Sequence, residues 1–246
     1  MNDMLLYSII GSAAGIIGTG LGGAITLLLR HPSSRFLSTI MNFSSGLMIA
    51  VVTFDLLPEA FSIGGLGQGL IGLLLGVGVI VMLDGFMPKA LRTDTSDVRS
   101  GYLKAGILLG IGIAVHNLPE GIAIGSGFTV YERYGLALSM IIALHDIPEG
   151  VAMATPMMMG GISKHLVFAS TVLAGIPTGI GVIAGYYLGE LSPVFIAVCL
   201  GFAGGAMLYI TCSELLPESS KLYRGRIPSM GTIAGIILGI VISSVI

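Results

Sequence analysis

Two six-residue segments carry the side chains of this sequence that could do chemistry. Residues 116–121 read His-Asn-Leu-Pro-Glu-Gly, and residues 145–150 read His-Asp-Ile-Pro-Glu-Gly. In a helix, residues four apart lie on one face, and residues three apart lie on a neighbouring face. Each glutamate can therefore act together with the histidine four positions before it and with the asparagine or aspartate three positions before it.

Imidazole and carboxylate groups in this pattern indicate a divalent metal site. They suit Zn²⁺, Fe²⁺ and similar ions, and the sequence places no basic side chain close to either segment to neutralise the acids. A single proline kink or a single buried histidine would be unremarkable in a membrane helix, but the duplication is hard to explain by packing. The predicted ligands are His116, Asn117, Glu120, His145, Asp146 and Glu149.

Long apolar segments position both motifs. Only 10% of the 246 residues are charged, against roughly 25% in a soluble domain, so the composition excludes soluble enzymes. A net charge of −2 also excludes a nucleic-acid binder. A helix needs about 20 apolar residues to cross a bilayer, and eight segments are long enough. Their ranges are 4–29, 36–57, 67–88, 105–127, 135–158, 166–188, 193–216 and 228–246.

The distribution of Lys and Arg predicts the orientation of these spans. Of the 11 basic residues, all but Arg133 fall in the loops after the first, third, fifth and seventh spans. Short loops rich in Lys and Arg stay in the cytoplasm. We therefore expect a multi-pass protein of the cell (inner) membrane with both termini outside the cytoplasm. The short loops also predict a single transmembrane domain over residues 1–246.

Internal repeats indicate a transporter. Residues 55–59 read Asp-Leu-Leu-Pro-Glu and residues 214–218 read Glu-Leu-Leu-Pro-Glu, with Met48 and Met207 at equivalent positions upstream. These copies lie in the second and seventh spans, which run in opposite directions. The fourth and fifth spans also run in opposite directions and place their histidine motifs near the bilayer midplane. Inverted repeats with interrupted helices point to the binding site of a transporter.

Several residues outside the histidine motifs have two interpretations. Asp55 and Glu59 lie near the outer end of the second span, and Asp84 and Glu214 lie near cytoplasmic span ends. Acids at span ends are often only solvated, yet together these four place carboxylates at both mouths of a candidate pathway. Met48 lies in the middle of the second span, where a buried methionine usually fills space in the packing.

The paired motifs resemble the signatures of the fourth and fifth spans in the ZIP (Zrt/Irt-like protein) family of divalent metal transporters. The whole chain is similar to the compact prokaryotic, GufA-like branch. The resemblance implies an all-α polytopic membrane protein of eight transmembrane helices in a 3+2+3 arrangement, with the fourth and fifth helices between two inverted three-helix repeats. It also matches Asp84 and Glu214 to positions near the cytoplasmic exit.

The resemblance further implies two adjacent metal sites at mid-membrane. The first would use His116, Glu120, His145 and Glu149, with Met48 approaching from the second span. The second would use Asn117, Glu120, Asp146 and Glu149. Many relatives complete the second site with a glutamate in the sixth span, in a Glu-Pro-x-Gly setting. Here residues 174–181 read Ala-Gly-Ile-Pro-Thr-Gly-Ile-Gly, so the aligned residue is Thr178, an uncharged and poorer ligand.

We predict a transporter that moves Zn²⁺ into the cytoplasm, with Fe²⁺, Mn²⁺ and Cd²⁺ as other candidate ions. Direction and metal identity follow from the resemblance, because ligand types alone do not choose among these ions. The alternative is an intramembrane zinc metallohydrolase, although the sequence has no His-Glu-x-x-His motif. A proton-relay or metal-sensing membrane protein is a further alternative. We expect no enzyme activity and no organic cofactor. The expected partners are divalent ions and the lipid bilayer, with a homodimer as the candidate assembly.

Overall fold

The computed structural model describes residues 2–28, 33–86 and 98–244, and these ranges are almost entirely helical and contain no strand. The helices are α1 (Asn2–Leu28), α2 (Ser34–Ala50), α3 (Leu57–Phe86), α4 (Val98–Val130), α5 (Glu132–Met159), α6 (Lys164–Ala174), α7 (Ile176–Leu191), α8 (Pro193–Ile210), α9 (Leu216–Leu222) and α10 (Arg226–Ser243). Two π-helical segments, π1 (Val51–Leu56) and π2 (Thr211–Leu215), join α2 to α3 and α8 to α9.

Seven helical runs within the described ranges are long and apolar enough to cross a membrane. The predicted second and third spans fall in one run of 50 residues, Ser34–Leu83. A straight helix of that length would measure about 75 Å, whereas the hydrocarbon core of a bilayer is about 30 Å thick. The run is interrupted at Gly65, whose φ of 78° lies in the left-handed region that favours glycine. The chain is therefore an all-helical, multi-pass membrane protein.

The two related Leu-Pro-Glu segments have the same local structure: each begins a helix directly after a π-helical segment. Pro58 and Pro217 lack a backbone N–H, and their rings clash with a carbonyl one turn earlier, which widens the preceding turn. Hydroxyl groups bond carbonyls beside the widened turns: Thr53 Oγ1 donates to the Ile49 carbonyl at 2.7 Å, and Ser213 Oγ donates to the Tyr209 carbonyl at 2.7 Å. Segments of this kind frequently occur at functional sites.

Glycines bring α1, α4, α5, α6 and α7 together, and we call these helices the motif block. A side chain added at Gly18 or Gly22 of α1 would collide with α5, and one at Gly23 would collide with α6. Side chains at Gly121 and Gly125 of α4 would collide with the backbone of α7. Such close approach of backbones is how small residues join membrane helices.

A second set of glycines joins α2, π1, α3, α8, π2, α9 and α10, which we call the flanking block. Side chains at Gly72 and Gly76 of α3 would collide with the backbone of α8, and one at Gly46 of α2 would collide with the backbone of α10. None of the glycines in the described ranges makes a similar approach from one block to the other. The blocks meet where α2 faces α5 and where α8 faces α4 and α7.

Candidate metal centre

The two histidine motifs meet between α4 and α5. His116 Nε2 lies 3.1 Å from Glu120 Oε1 and 3.2 Å from Glu149 Oε1, and His145 Nε2 lies 2.7 Å from Glu120 Oε1. All four side chains are buried. Ligand atoms of His116, His145 and Glu149 lie within 4.8 Å of one another, which is close enough for one metal ion to join them. The structure thus brings together the two imidazoles and two carboxylates that helical spacing predicted.

A second group of candidate ligands lies beside the first and shares members with it. Ligand atoms of Glu120, His145 and Asp146 also lie within 4.8 Å of one another, and Asp146 Oδ1 is 3.5 Å from His145 Nε2. Asn117 Nδ2 donates to the Ala174 carbonyl at 2.7 Å. The amide oxygen of Asn117 has no hydrogen-bond partner.

Many polar atoms of this centre are buried without a hydrogen-bond partner. They include His116 Nδ1, Asn117 Oδ1, Glu120 Oε2, His145 Nδ1, Asp146 Oδ1, Asp146 Oδ2 and Glu149 Oε2. Buried polar groups in proteins are normally satisfied, and a charge inside a membrane costs at least ~2.5–3.5 kcal/mol on insertion scales. A bound dication would satisfy the carboxylate oxygens and would accept imidazole nitrogen as a ligand. The donor set therefore fits a divalent metal ion as substrate.

The prolines of both motifs lie inside continuous helices. Pro119 is within α4 and Pro148 is within α5. Each proline removes a hydrogen bond to the carbonyl four positions earlier, which belongs to the residue just before the histidine of its motif. The helices are thus weakened beside the ligands, where irregular backbone at membrane depth is tolerated if it lines a cavity.

Each motif glycine packs against a short segment that the sequence analysis missed. Residues 19–22 of α1 read Thr-Gly-Leu-Gly, and residues 178–181 of α7 read Thr-Gly-Ile-Gly. A side chain at Gly150 would collide with the backbone of the first segment, and one at Gly121 would collide with that of the second. The shared four-residue pattern is visible in the sequence and could have identified both segments. The pattern makes α1 the counterpart of α7 in the internal repeat, just as the Leu-Pro-Glu segments make the second span the counterpart of the seventh.

Thr178 lies beside the second group of ligands. Its side chain is fully buried, and its hydroxyl oxygen has no hydrogen-bond partner. It packs against Gly15 of α1, while the side chain of Asp146 packs against Gly18, one turn further along the same helix. Thr178 and Asp146 therefore contact the same face of α1.

Met48 and Ser44 lie one turn apart on α2 and make different contacts. The Met48 sulfur accepts a hydrogen bond from the Thr211 hydroxyl of π2 at 3.6 Å. Ser44 Oγ lies 3.3 Å from Glu149 Oε1 and 3.3 Å from the His145 carbonyl oxygen. Sequence reasoning missed Ser44, because no local pattern distinguishes it from other serines of α2.

Two of the four predicted pathway acids, Asp55 and Glu59, lie outside the histidine cluster. Asp55 is on π1, where it is buried and its Oδ1 accepts a hydrogen bond from Ser243 Oγ at 2.7 Å. Its other carboxylate oxygen has no partner. Glu59 is half-buried in the first turn of α3. Asp84 lies on α3 and Glu214 on π2, but the side chains of both fall outside the described residues.

Comparisons with known proteins identify the family of the chain. A family model described as ZIP Zinc transporter matches residues 88–246. The chain is 34% identical over 239 residues to "Zinc transporter ZupT" of Chlorobium luteolum, covering 89% of this chain and 90% of the relative. It is 32% identical over 237 residues to "Zinc transporter ZTP29" of Arabidopsis thaliana, covering 88% and 86%. "Zinc transporter ZupT" of Escherichia fergusonii is 31% identical over 244 residues, covering 96% and 93%. The resemblance seen in the sequence is therefore confirmed, and the chain belongs to the ZIP family of divalent metal transporters.

Proposed function

We propose that this protein carries Zn²⁺, or a similar divalent ion, across the cell membrane into the cytoplasm through the centre between α4 and α5. The observation that carries the proposal is the convergence of two buried imidazoles and two buried carboxylates inside apolar helices. An ion held at such a depth must arrive and leave along a pathway through the protein. Family membership supports transport, and nothing in the comparisons supports the metallohydrolase alternative.

The proposed architecture has eight crossings in a 3+2+3 arrangement within one domain, residues 1–246. It divides the run Ser34–Leu83 at Gly65, where the helical backbone is interrupted. Two pairs of features support inverted repeats: π1 with π2, and the Thr-Gly-x-Gly segments of α1 and α7. The distribution of Lys and Arg supports an orientation with both termini outside the cytoplasm. An impermeant thiol reagent on intact cells should label a cysteine introduced at Asn2 but not one introduced at Thr95.

The proposed transport movement is a displacement of the motif block against the flanking block. All six candidate ligands of the centre lie on α4 and α5, within the motif block. Glycine contacts hold the helices of each block at short distance, and the described glycines make no such contact between blocks. An interface without these close backbone contacts can slide or rock more readily, which is how transporters built from repeats alternate their access.

Within this scheme, ions would approach past Asp55 and Glu59 and leave past Asp84 and Glu214. The free carboxylate oxygen of buried Asp55 supports a role on the outer side. At the centre, the first metal position would use both histidines and both glutamates. The second position would use Asn117 and Asp146 with the shared glutamates, and Thr178 would make it the weaker of the two.

Zinc uptake into liposomes by the purified protein tests the proposal. A fluorescent zinc indicator inside the vesicles should report saturable uptake that continues well beyond one ion per protein. Protein-free vesicles from the same lipid provide the background. Binding of zinc to the protein without accumulation inside the vesicles would overturn the transport proposal and favour a metal sensor. Uptake that stops after one ion per protein would likewise overturn the transport proposal.

A further inference from the structure

Ser44 reaches from the flanking block to the metal centre in the motif block. It is a fully buried residue of α2, and its hydroxyl is within hydrogen-bond distance of both Glu149 Oε1 and the His145 carbonyl of α5. Two comparable side-chain hydrogen bonds between helices stay within one block. Asn117 of α4 bonds α6, and Ser243 of α10 bonds Asp55 of π1. The contact of Ser44 therefore lies on the interface that the proposed movement must change.

The neighbouring serine makes the usual contact for a helix in a membrane. Ser45 Oγ donates to the Met41 carbonyl of its own helix at 2.8 Å. A serine in a helix commonly satisfies its hydroxyl in this way. Ser44 is equally buried, but its described acceptors belong to α5, so its hydroxyl is aimed out of its own helix. The two adjacent residues differ in partner and not in burial.

The repeat does not supply this contact on the other side of the centre. Met48 and Met207 are equivalent, so the residue four positions before each methionine is Ser44 in α2 and Ala203 in α8. Ala203 is fully buried and has no hydroxyl. A residue needed only for the packing of the repeat would be expected to have the same chemistry in both copies. The serine is present only where α2 meets α5.

We propose that Ser44 is a positioning residue that holds the Glu149 carboxylate and stabilises the present arrangement of the two blocks. This inference rests on the proposed movement of the motif block. A carboxylate can accept several hydrogen bonds, so Glu149 can keep its contact with Ser44 while it binds an ion through another lone pair. When the motif block moves away from α2, both contacts of Ser44 must break. The hydroxyl therefore stabilises this arrangement against those in which α2 and α5 are displaced.

Removal of the hydroxyl should shift the populations of the arrangements by a modest factor. A hydrogen bond to a charged group typically contributes enough stability for a shift of about ten-fold or more. Both distances of 3.3 Å are longer than usual for a hydroxyl donor. We therefore expect Ser44→Ala to reduce the population of the present arrangement, relative to the others, by about five-fold.

Distances between spin labels on the two blocks can measure this shift. Phe36 of α2 and Leu166 of α6 are exposed and belong to different blocks, so they can be replaced by labelled cysteines. Cys212 is exposed and is replaced by serine, whereas Cys199 is buried. The full-length protein in liposomes is measured by double electron–electron resonance, with and without Zn²⁺. The variants are Ser44→Ala, Ser44→Thr and, as the matched control, Ser45→Ala.

We expect Ser44→Ala to move the distance distribution away from the parent distribution, while Ser44→Thr and Ser45→Ala retain the parent distribution. The proposal is overturned if Ser44→Ala has the parent distribution, or if Ser45→Ala produces the same shift, since the effect would then come from packing. Zinc uptake by the same liposomes separates this result from the proposed function. A parent protein that takes up zinc while Ser44→Ala shows no shift would reject the role of Ser44 and leave transport standing.

Discussion

The α4 and α5 halves of the centre have the same motif but different surroundings. Glu120 lies against both histidines through one oxygen, whereas the corresponding oxygen of Glu149 lies against His116 and the hydroxyl of Ser44. The position after the histidine is an amide in α4, Asn117, and a carboxylate in α5. The duplicated motif thus sets the shape of the centre, while its neighbours distribute charge and contacts unequally.

The two motifs also differ in the threonine against which each of them packs. The α4 motif packs on Thr178 of α7, and the α5 motif packs on Thr19 of α1. Thr19 satisfies its hydroxyl with the Gly15 carbonyl of its own helix at 2.8 Å, but Thr178 leaves its hydroxyl without a partner. The two threonines thus make equivalent backbone contacts, but only the hydroxyl of Thr19 has a hydrogen-bond partner. The unsatisfied one lies on the side of the weaker proposed site.

The largest effect should come from removing either glutamate. We expect Glu120→Ala and Glu149→Ala each to reduce zinc uptake at least ~100-fold, because loss of groups that only support metal ligands already costs 10–100-fold. Uptake into liposomes at equal protein content provides the measurement. Glu190→Ala, an exposed acid of α7, serves as the control and should transport normally. Substantial uptake by either variant would reject the shared role of the two glutamates.

The two histidines should not be equivalent. His145 belongs to both groups of candidate ligands, whereas His116 belongs only to the first. We expect His145→Ala to weaken zinc binding at both positions, by about 10–100-fold at the first. His116→Ala should affect the first position alone. Isothermal titration with Zn²⁺ in detergent, with exposed His165→Ala as the control, can separate the two cases. Identical titrations for the two variants would contradict the assignment of His145 to both metal positions and of His116 to the first alone.

Binding should also depend on pH, because a protonated imidazole cannot hold a metal ion. Zinc affinity should therefore be retained at neutral pH and fall as the pH decreases, because protons compete with the metal for the imidazole nitrogens. Binding measured between pH 7.5 and 5 provides the check. A flat curve over that interval would argue against ligation by His116 and His145 and would leave the carboxylates as the only ligands.

The grouping of each histidine with the glutamate of its own motif was predictable, because spacing within one helix determines which side chains share a face, and the similar depth of both motifs predicted that they would lie together. The contacts that α2 makes with the centre were not predictable. Ser44 is separated from His145 and Glu149 by more than 100 positions, and nothing local sets the rotation of α2 that aims its hydroxyl at α5. On the same helix, the Met48 sulfur accepts a hydrogen bond from Thr211 of π2, a contact that no local pattern predicts either. Hydropathy identified the segments, but only the backbone reveals that Gly65 interrupts a single long helical run.

A smaller effect than that of the ligand variants should come from position 178, which tests whether charge makes the two halves unequal. Two dications at the centre would carry four positive charges against the three carboxylates of Glu120, Asp146 and Glu149. The ions would repel each other at bridging distance with little water to screen them. We therefore expect the native protein to bind one ion tightly and a second weakly or not at all. Thr178→Glu would supply the fourth carboxylate and should strengthen the second binding step by about ten-fold.

Thr178→Gln is the matched control, because it has nearly the same size and shape without the charge. Thr178 is tightly packed against Gly15, so either longer side chain must displace its neighbours to the same extent. A gain in second-site affinity with glutamate and not with glutamine would therefore measure charge and not space. Metal titration, together with anomalous scattering from zinc-soaked crystals, reports both occupancies. Two equally occupied ions in the native protein would show that Thr178 does not limit the second site, and that a bridging hydroxide or another group supplies the missing negative charge.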